Sequence, residues 1–260
     1  MTALETAVPS ILTLDHVTKS FGGLTAIHDL DIDVQRGEAT ALIGPNGAGK
    51  TTLFNIVSGA LQPDSGRILF NGSDITALPS RRRIGCGIAR SFQNVRLMPH
   101  LTVCENLIVG QHVRTAGLRD LLTPFRFLPN HRWRRQAVEA LAEAGLEAWA
   151  DATVSELPYG VRKRIDLVRA TLAGASLLML DEPAAGLNPS ETQVLRGHLE
   201  ALKARGVTLL VVEHDMHFIG QVCDHVVVLN FGEKIAEGTL AAVQRDAQVR
   251  AAYLGFDEAA

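Results

Sequence analysis

The chain has 260 residues, of which 47% are hydrophobic and 20% charged, with a formal net charge of −3. That length buries a full core without disulfide staples, and that apolar content excludes a disordered chain. The slight acidic surplus excludes a dedicated nucleic-acid binder, which needs basic residues to neutralise phosphates. The three cysteines, Cys86, Cys104 and Cys223, are scattered, so neither a disulfide framework nor a zinc site is predicted. Glu5 stands where a signal peptide carries basic residues, and no apolar stretch approaches the roughly 20 residues of a membrane span. The expectation is a chain with neither a signal peptide nor a transmembrane segment.

Short apolar runs bounded by Gly, Asp and Pro predict strands over Ile11–Val17, Leu30–Val34, Ala39–Ile43 and Arg67–Phe70. Further strands are predicted over Leu177–Leu180, Thr208–Val212, Val226–Leu229 and Lys234–Ala236. Helical patterns fall over Gly49–Ser58, Arg162–Ala173 and Ser190–Ala204. Strands alternating with helices predict a parallel α/β sheet. The first strands and the last two, joined by tight turns such as Phe231-Gly232-Glu233, read as an antiparallel fringe. From about Leu97 to Ser155 the chain is rich in Ala, Leu and Arg, with Trp133–Leu146 strongly helical. It reads as a helical lobe, residues 95–155, inserted into a core of residues 1–94 and 156–260. Gly117, Pro124 and Pro129 make Thr115–Asn130 an irregular excursion. Arg81-Arg82-Arg83 and Arg132-Trp133-Arg134-Arg135 read as solvated faces.

Two motifs carry chemistry. Gly44-Pro45-Asn46-Gly47-Ala48-Gly49-Lys50-Thr51-Thr52 fits G-x-x-x-x-G-K-[ST], after an apolar strand and opening a helix. Its glycines let backbone N–H groups face anionic oxygens, and the helix N-terminus adds a favourable field. Lys50 would reach the β- and γ-phosphates, and Thr51 would offer its hydroxyl to Mg²⁺. The second motif is Leu177-Leu178-Met179-Leu180-Asp181-Glu182, an apolar strand ending in two acids. A strand buried on both faces delivers such carboxylates to the ligand-binding edge of the sheet. Asp181 suits a Mg²⁺ contact, and Glu182, directed the other way, suits polarising an attacking water. His214-Asp215-Met216-His217 has metal-pair spacing but no third ligand cluster in the sequence to support it.

With these residues stand Phe21-Gly22-Gly23-Leu24, Ser91-Phe92-Gln93, Leu101-Thr102-Val103-Cys104-Glu105-Asn106, Asp181–Pro189, Val212-Glu213-His214-Asp215 and Ala252-Tyr253-Leu254-Gly255. Together they resemble the nucleotide-binding subunits of ABC transporters over about Leu12 to Phe256. Within that family they are most similar to the LivG-like group serving branched-chain amino acid uptake. The resemblance implies a P-loop core with an inserted helical subdomain. It implies that Phe21 stacks on adenine, that Gln93 contacts Mg²⁺ or the water and couples core to lobe, and that His214 reaches the γ-phosphate. It further implies two such subunits closing head to tail, each ATP lying between one phosphate loop and the other chain's signature. The implied partners are two membrane permeases and, indirectly, an external solute-binding protein, with the chain peripheral on the cytoplasmic face. The family's Leu-Ser-Gly-Gly-Gln signature is here Leu157-Pro158-Tyr159-Gly160-Val161. Pro158 has neither hydroxyl nor N–H to give a phosphate, which favours a heterodimer over a homodimer. Asn188 stands where many members have Asp. Alternatives are a same-fold subunit for urea, amides or another solute, a soluble ATPase of translation or DNA repair, and a sensor that binds ATP without turnover.

Overall fold

In the computed structural model, which describes residues 9–91, 96–111 and 131–254, the centre of the molecule is β3 (Ala39–Ile43). All five of its residues are buried, and helices or a second sheet cover both faces, as a parallel strand requires. Around it runs a six-stranded sheet in the order β10-β9-β3-β8-β7-β6. Its other members are β6 (Ile88–Arg90), β7 (Leu177–Asp181), β8 (Thr208–Val212), β9 (His225–Asn230) and β10 (Glu233–Gly238). Only β10 is antiparallel to its neighbour. A second, antiparallel sheet has the order β2-β1-β4-β5, from β1 (Ser10–Phe21), β2 (Leu24–Gln35), β4 (Ser65–Phe70) and β5 (Ser73–Asp74).

The α-helices among the described residues are α1 (Lys50–Val57), α2 (Ser80–Cys86), α3 (Val103–Gly110), α4 (Arg132–Glu143), α5 (Tyr159–Leu172), α6 (Pro189–Ala204), α7 (Met216–Val222), α8 (Leu240–Arg245) and α9 (Ala247–Leu254). Alternation along the central strands builds two cores. Leu42, Leu177, Met179, Leu210 and Val212 pack with α1 and the antiparallel sheet. Leu178, Leu180, Leu209 and Val211 pack with Leu195 and Leu199 of α6 and Phe218 of α7. Each such aliphatic contributes about 1.5–3 kcal/mol by leaving water. A separate cluster joins Val103, Cys104 and Leu107 of α3, Trp133, Ala137 and Leu141 of α4, and Leu157 and Ile165 at the start of α5. α3 begins cleanly because Thr102 and Glu105 form a reciprocal capping box. The excursion expected over residues 115–130 lies outside the described residues.

Two expectations are corrected. β9 is no fringe strand: it pairs in parallel with β3 through Ala41↔Val226 and Ile43↔Val228. Val226–Leu229 are all buried, and so continuous an apolar run belongs in a sheet covered on both faces. β1 and β2 are antiparallel as expected, but they are 12 residues long rather than short. Second, Arg83 does not share the solvated face of Arg81 and Arg82. It is fully buried and donates to the carbonyls of Ile56, Val57, Thr76 and Leu78 at 2.7–3.0 Å. Its guanidinium satisfies the C-terminal carbonyls of α1, where a cation also suits the helix dipole. Trp133 is buried as well, and Arg134 pairs with Asp151 at 2.7 Å.

Candidate nucleotide site

β3 delivers the chain into a loop that turns back over its own strand end and opens α1. Gly44 has φ 150°, and a Cβ there would lie 2.1 Å from the Leu229 carbonyl oxygen; Gly49 has φ 101°, and a Cβ would meet the Ala26 carbonyl at 2.6 Å. Both positions are closed to side chains. The loop is fastened by Ala48 N–H to Pro45 C=O at 3.2 Å and by Gly232 N–H to Ala48 C=O at 3.0 Å. The β9–β10 turn is thus tied to the phosphate loop. Lys50 is buried and donates to the carbonyls of Gly44 and of Pro45, the latter at 2.9 Å. Burial pushes its ammonium below the usual lysine range, against the pull of Glu182 and Asp181.

A cavity of about 530 Å³ opens beside this loop. Asn46, Gly47, Ala48, Gly49, Lys50, Thr51 and Thr52 form one wall, and Asp181, Glu182 and His214 another. Phe21, Leu24 and Phe231 form an apolar end. Leu24 and Phe231 stand in motifs read from the sequence, but neither carries an expected role at the site. Each sits at a hairpin, where an exposed apolar residue reads as chance; in the structure they are 70% and 74% exposed. Phe21 is half exposed, with Lys19 Nζ 5.6 Å from its ring centre.

The two acids separate as their strand ends. The carboxylate of Asp181 gives one oxygen to Arg90 Nη2 at 2.9 Å, and Arg90 also holds Asn55 at 2.7 Å. Glu182 turns into a left-handed conformation, φ 48°, rare outside glycine. Its Oε1 lies 3.1 Å from His214 Nε2. The second histidine, His217, binds Gln221, and neither histidine joins a cluster of three possible metal ligands among the described residues. Thr51 and Asp181 are hard oxygen donors lining one cavity, a set that fits Mg²⁺. Gln93 lies outside the described residues.

The signature segment sits apart from this cavity. Leu157 is buried in the helical cluster. Pro158 is the N-cap of α5, at φ −56° and ψ 151°, with no side-chain cap bond. Tyr159 is exposed, and Gly160 packs so closely on Glu191 of α6 that a Cβ would meet its carboxylate at 2.2 Å. Asn188 caps α6 in a box with Glu191.

A match to the ABC transporter family covers residues 27–185, which is more than half the chain. The chain belongs to the ABC transporter ATP-binding family. It is an ATPase subunit, binds nucleotide, and works with membrane permease components. Residues 233–255 match the branched-chain amino acid ATP-binding cassette transporter family. The cassette is 39% identical over 250 residues to BraF of Pseudomonas aeruginosa, a high-affinity branched-chain amino acid transport ATP-binding protein, covering 94% of this chain and 98% of that one. It is 37% identical over 255 residues to LivG of Escherichia coli K12, of the same description, with the same coverage. Among solved structures, a nucleotide-free ATP-binding cassette from an ABC transporter superposes with TM-score 0.84 at 31% identity, over 94% of this chain and 99% of that one. An ABC cassette in its ADP conformation gives TM-score 0.83 at 31% identity, over 95% and 99%. No helix among the described residues is long and apolar enough to cross a membrane.

Proposed function

We propose that this ATPase energises uptake of branched-chain or other hydrophobic amino acids, bound peripherally on the cytoplasmic face of the membrane. The observation that carries the chemistry is the meeting of Lys50, Thr51, Asp181, Glu182 and His214 around one cavity. In this reading Gly44 through Thr52 cradle the phosphates of ATP and Phe21 stacks on adenine. Mg²⁺, held by Thr51, Asp181 and Gln93, would offset charge on the phosphoryl oxygens. Glu182 accepts a proton from the attacking water as its oxygen bonds to the γ-phosphorus, and the bond to the ADP oxygen breaks. In this reading the His214 imidazole, which lines the same cavity, contacts the γ-phosphoryl oxygens. The core is residues 1–94 and 156–260, and residues 95–155 form the helical subdomain.

The solute reading rests on the C-terminal match and on relatives described for branched-chain amino acids. A ribose import ATP-binding protein of Burkholderia ambifaria is also 34% identical over 242 residues, so the cassette alone is compatible with other solutes. The working assembly pairs this chain with a second, homologous ATPase subunit and two permeases, with an external solute-binding protein acting through them. The test is uptake into proteoliposomes holding this chain and the permeases it co-purifies with. ATP-dependent accumulation of leucine, with urea and ribose excluded, is the expected outcome. Accumulation of urea or ribose instead would overturn the solute assignment.

A further inference from the structure

The left-handed backbone at Glu182 must be held by its surroundings, because a non-glycine residue there is strained. Its own N–H donates to Val212 C=O at 2.9 Å, and its carbonyl accepts from Ala185 N–H at 3.2 Å. A third restraint comes from a different element. Lys163, on the second turn of α5 and buried, donates its ammonium to the carbonyls of Glu182 and Ala185, each at 2.8 Å. A further hold comes from Glu213, only 4% exposed. One of its carboxylate oxygens accepts Ala184 N–H at 2.7 Å, and the other accepts His214 N–H at 3.1 Å.

Residues 182–185 are therefore held by both a buried cation and a buried anion. Burial pushes the Lys163 ammonium below the usual lysine range, and the Glu213 and Glu182 carboxylates pull it back. Neither Lys163 nor Glu213 lines the cavity that holds Lys50. Both act on the two residues whose side chains meet there, Glu182 through its carbonyl and His214 through its N–H.

We propose that Lys163 and Glu213 are positioning residues for hydrolysis, setting the Glu182 carboxylate and the His214 imidazole against the γ-phosphate. The proposal rests on the reading of Glu182 as the residue that polarises the water. Lys163 belongs to the helix that Pro158 opens, so the same ammonium ties the signature helix to the backbone of Glu182. A displacement of about 1 Å in a reacting group costs on the order of 10² in rate, which sets the size of the expected effect.

The test measures steady-state ATPase in the transporter reconstituted with its permeases, together with affinity for a fluorescent ATP analogue. Lys163→Met keeps length and removes the donors; it is expected to lower kcat about 10²-fold and leave KM within threefold. Lys163→Arg, which restores charge and donors, is expected to recover most of that loss. Glu213→Gln keeps the acceptor for Ala184 but presents an amide NH₂ toward His214 N–H, and should lower kcat about tenfold with KM again unchanged. The double variant should be no worse than Lys163→Met, because the two residues hold one segment. If Lys163→Met fails to fold, Lys163→Arg and Glu213→Gln decide. With Glu182→Gln nearly inactive, a kcat within threefold of wild type for Glu213→Gln and for Lys163→Met would overturn the proposal and leave Glu182 in place. A parallel fall in ATP affinity, kcat and melting temperature, without rescue by arginine, would show only a structural role and also overturn it. Full activity of Glu182→Gln would remove the underlying reading, and this proposal with it.

Discussion

Glu182 Oε1 and His214 Nε2 lie 3.1 Å apart although 32 residues separate them in the chain. The sheet creates the contact. β7 and β8 run parallel with Asp181 opposite Val212, so the residues just beyond each strand leave the same edge together. Glu182→Gln keeps the shape of the side chain and removes the proposed base. The expected outcome is unchanged ATP-analogue affinity with turnover at least 10² lower, read by phosphate release. Turnover within threefold of wild type would show that another group polarises the water.

Lys50 is held among loop carbonyls by its ammonium, at the floor of the phosphate loop. In the proposed placement of ATP, Lys50→Ala removes a charge-assisted partner from the phosphates, worth about 1.5–3 kcal/mol. ATP-analogue affinity should fall roughly ten- to hundredfold, along with hydrolysis. Equilibrium titration checks this, and unchanged affinity would count against the placement of the phosphates.

Arg83→Met leaves the buried carbonyl of Val57 and the part-buried carbonyls of Leu78 and Thr76 short of a donor. At roughly 1–3 kcal/mol for a buried group left unpaired, partly relieved by relaxation, the loss should be about 2–4 kcal/mol. Urea unfolding should show it. Arg81→Met and Arg82→Met, on the exposed side of the same helix, should stay within about 0.5 kcal/mol of wild type.

His198 on α6 gives a pH signature. Burial, with Arg164 and Arg205 nearby, lowers its pKa to about 4. In the unfolded chain it returns to about 6.5. Below pH 6.5 the unfolded state therefore binds the extra proton, and stability falls as pH drops from about 6.5 toward 4. Between pH 7 and pH 5 the loss from this group is about 2 kcal/mol. His198→Gln should flatten that part of the urea-midpoint curve, and a curve unchanged by the substitution would refute the assignment.

The glycine-rich loop and the two strand-end acids are legible in the sequence because each is a local pattern with one structural context, and the structure lines one cavity with both. β3 and β8 are read to the residue for the same reason: a five-residue apolar run between turns has few other uses. What stays hidden is decided across the chain. Arg83 differs in no local way from Arg81 and Arg82; only the carbonyls at the end of α1 distinguish it. Glu213 looks like any acid after a strand until Ala184 and His214 turn their N–H groups toward it. Lys163 looks like one more cation in a run of three. β6 has three residues, too few to show a period, and is a strand because β7 lies beside it.

Pro158 is the N-cap of α5 with an extended backbone, φ −56° and ψ 151°, a conformation that serine adopts without strain. Pro158→Ser would gain a cap hydrogen bond, about 0.5–2 kcal/mol, and would lose about 0.4–1 kcal/mol through a freer unfolded chain. The two nearly offset, so melting temperature should move little and any change in turnover reports on the site. In a homodimer closed head to tail, each γ-phosphate would face a proline, which offers no donor. The Gly160 N–H and the positive end of α5 would remain. Loss of one preorganised donor costs about 2.7–4 kcal/mol, or 10²–10³ in rate. A homologous partner bearing serine would restore one site, the one built on this chain's Lys50, Glu182 and His214. The isolated chain should therefore hydrolyse ATP slowly, and mixing with that partner should raise turnover. Disabling Glu182 here should harm the pair more than disabling the partner's equivalent. In the isolated chain, Pro158→Ser should raise turnover at least tenfold. Vigorous ATPase from the purified chain alone, with no gain from Pro158→Ser, would show that backbone groups suffice at this position and would remove the case for unequal sites.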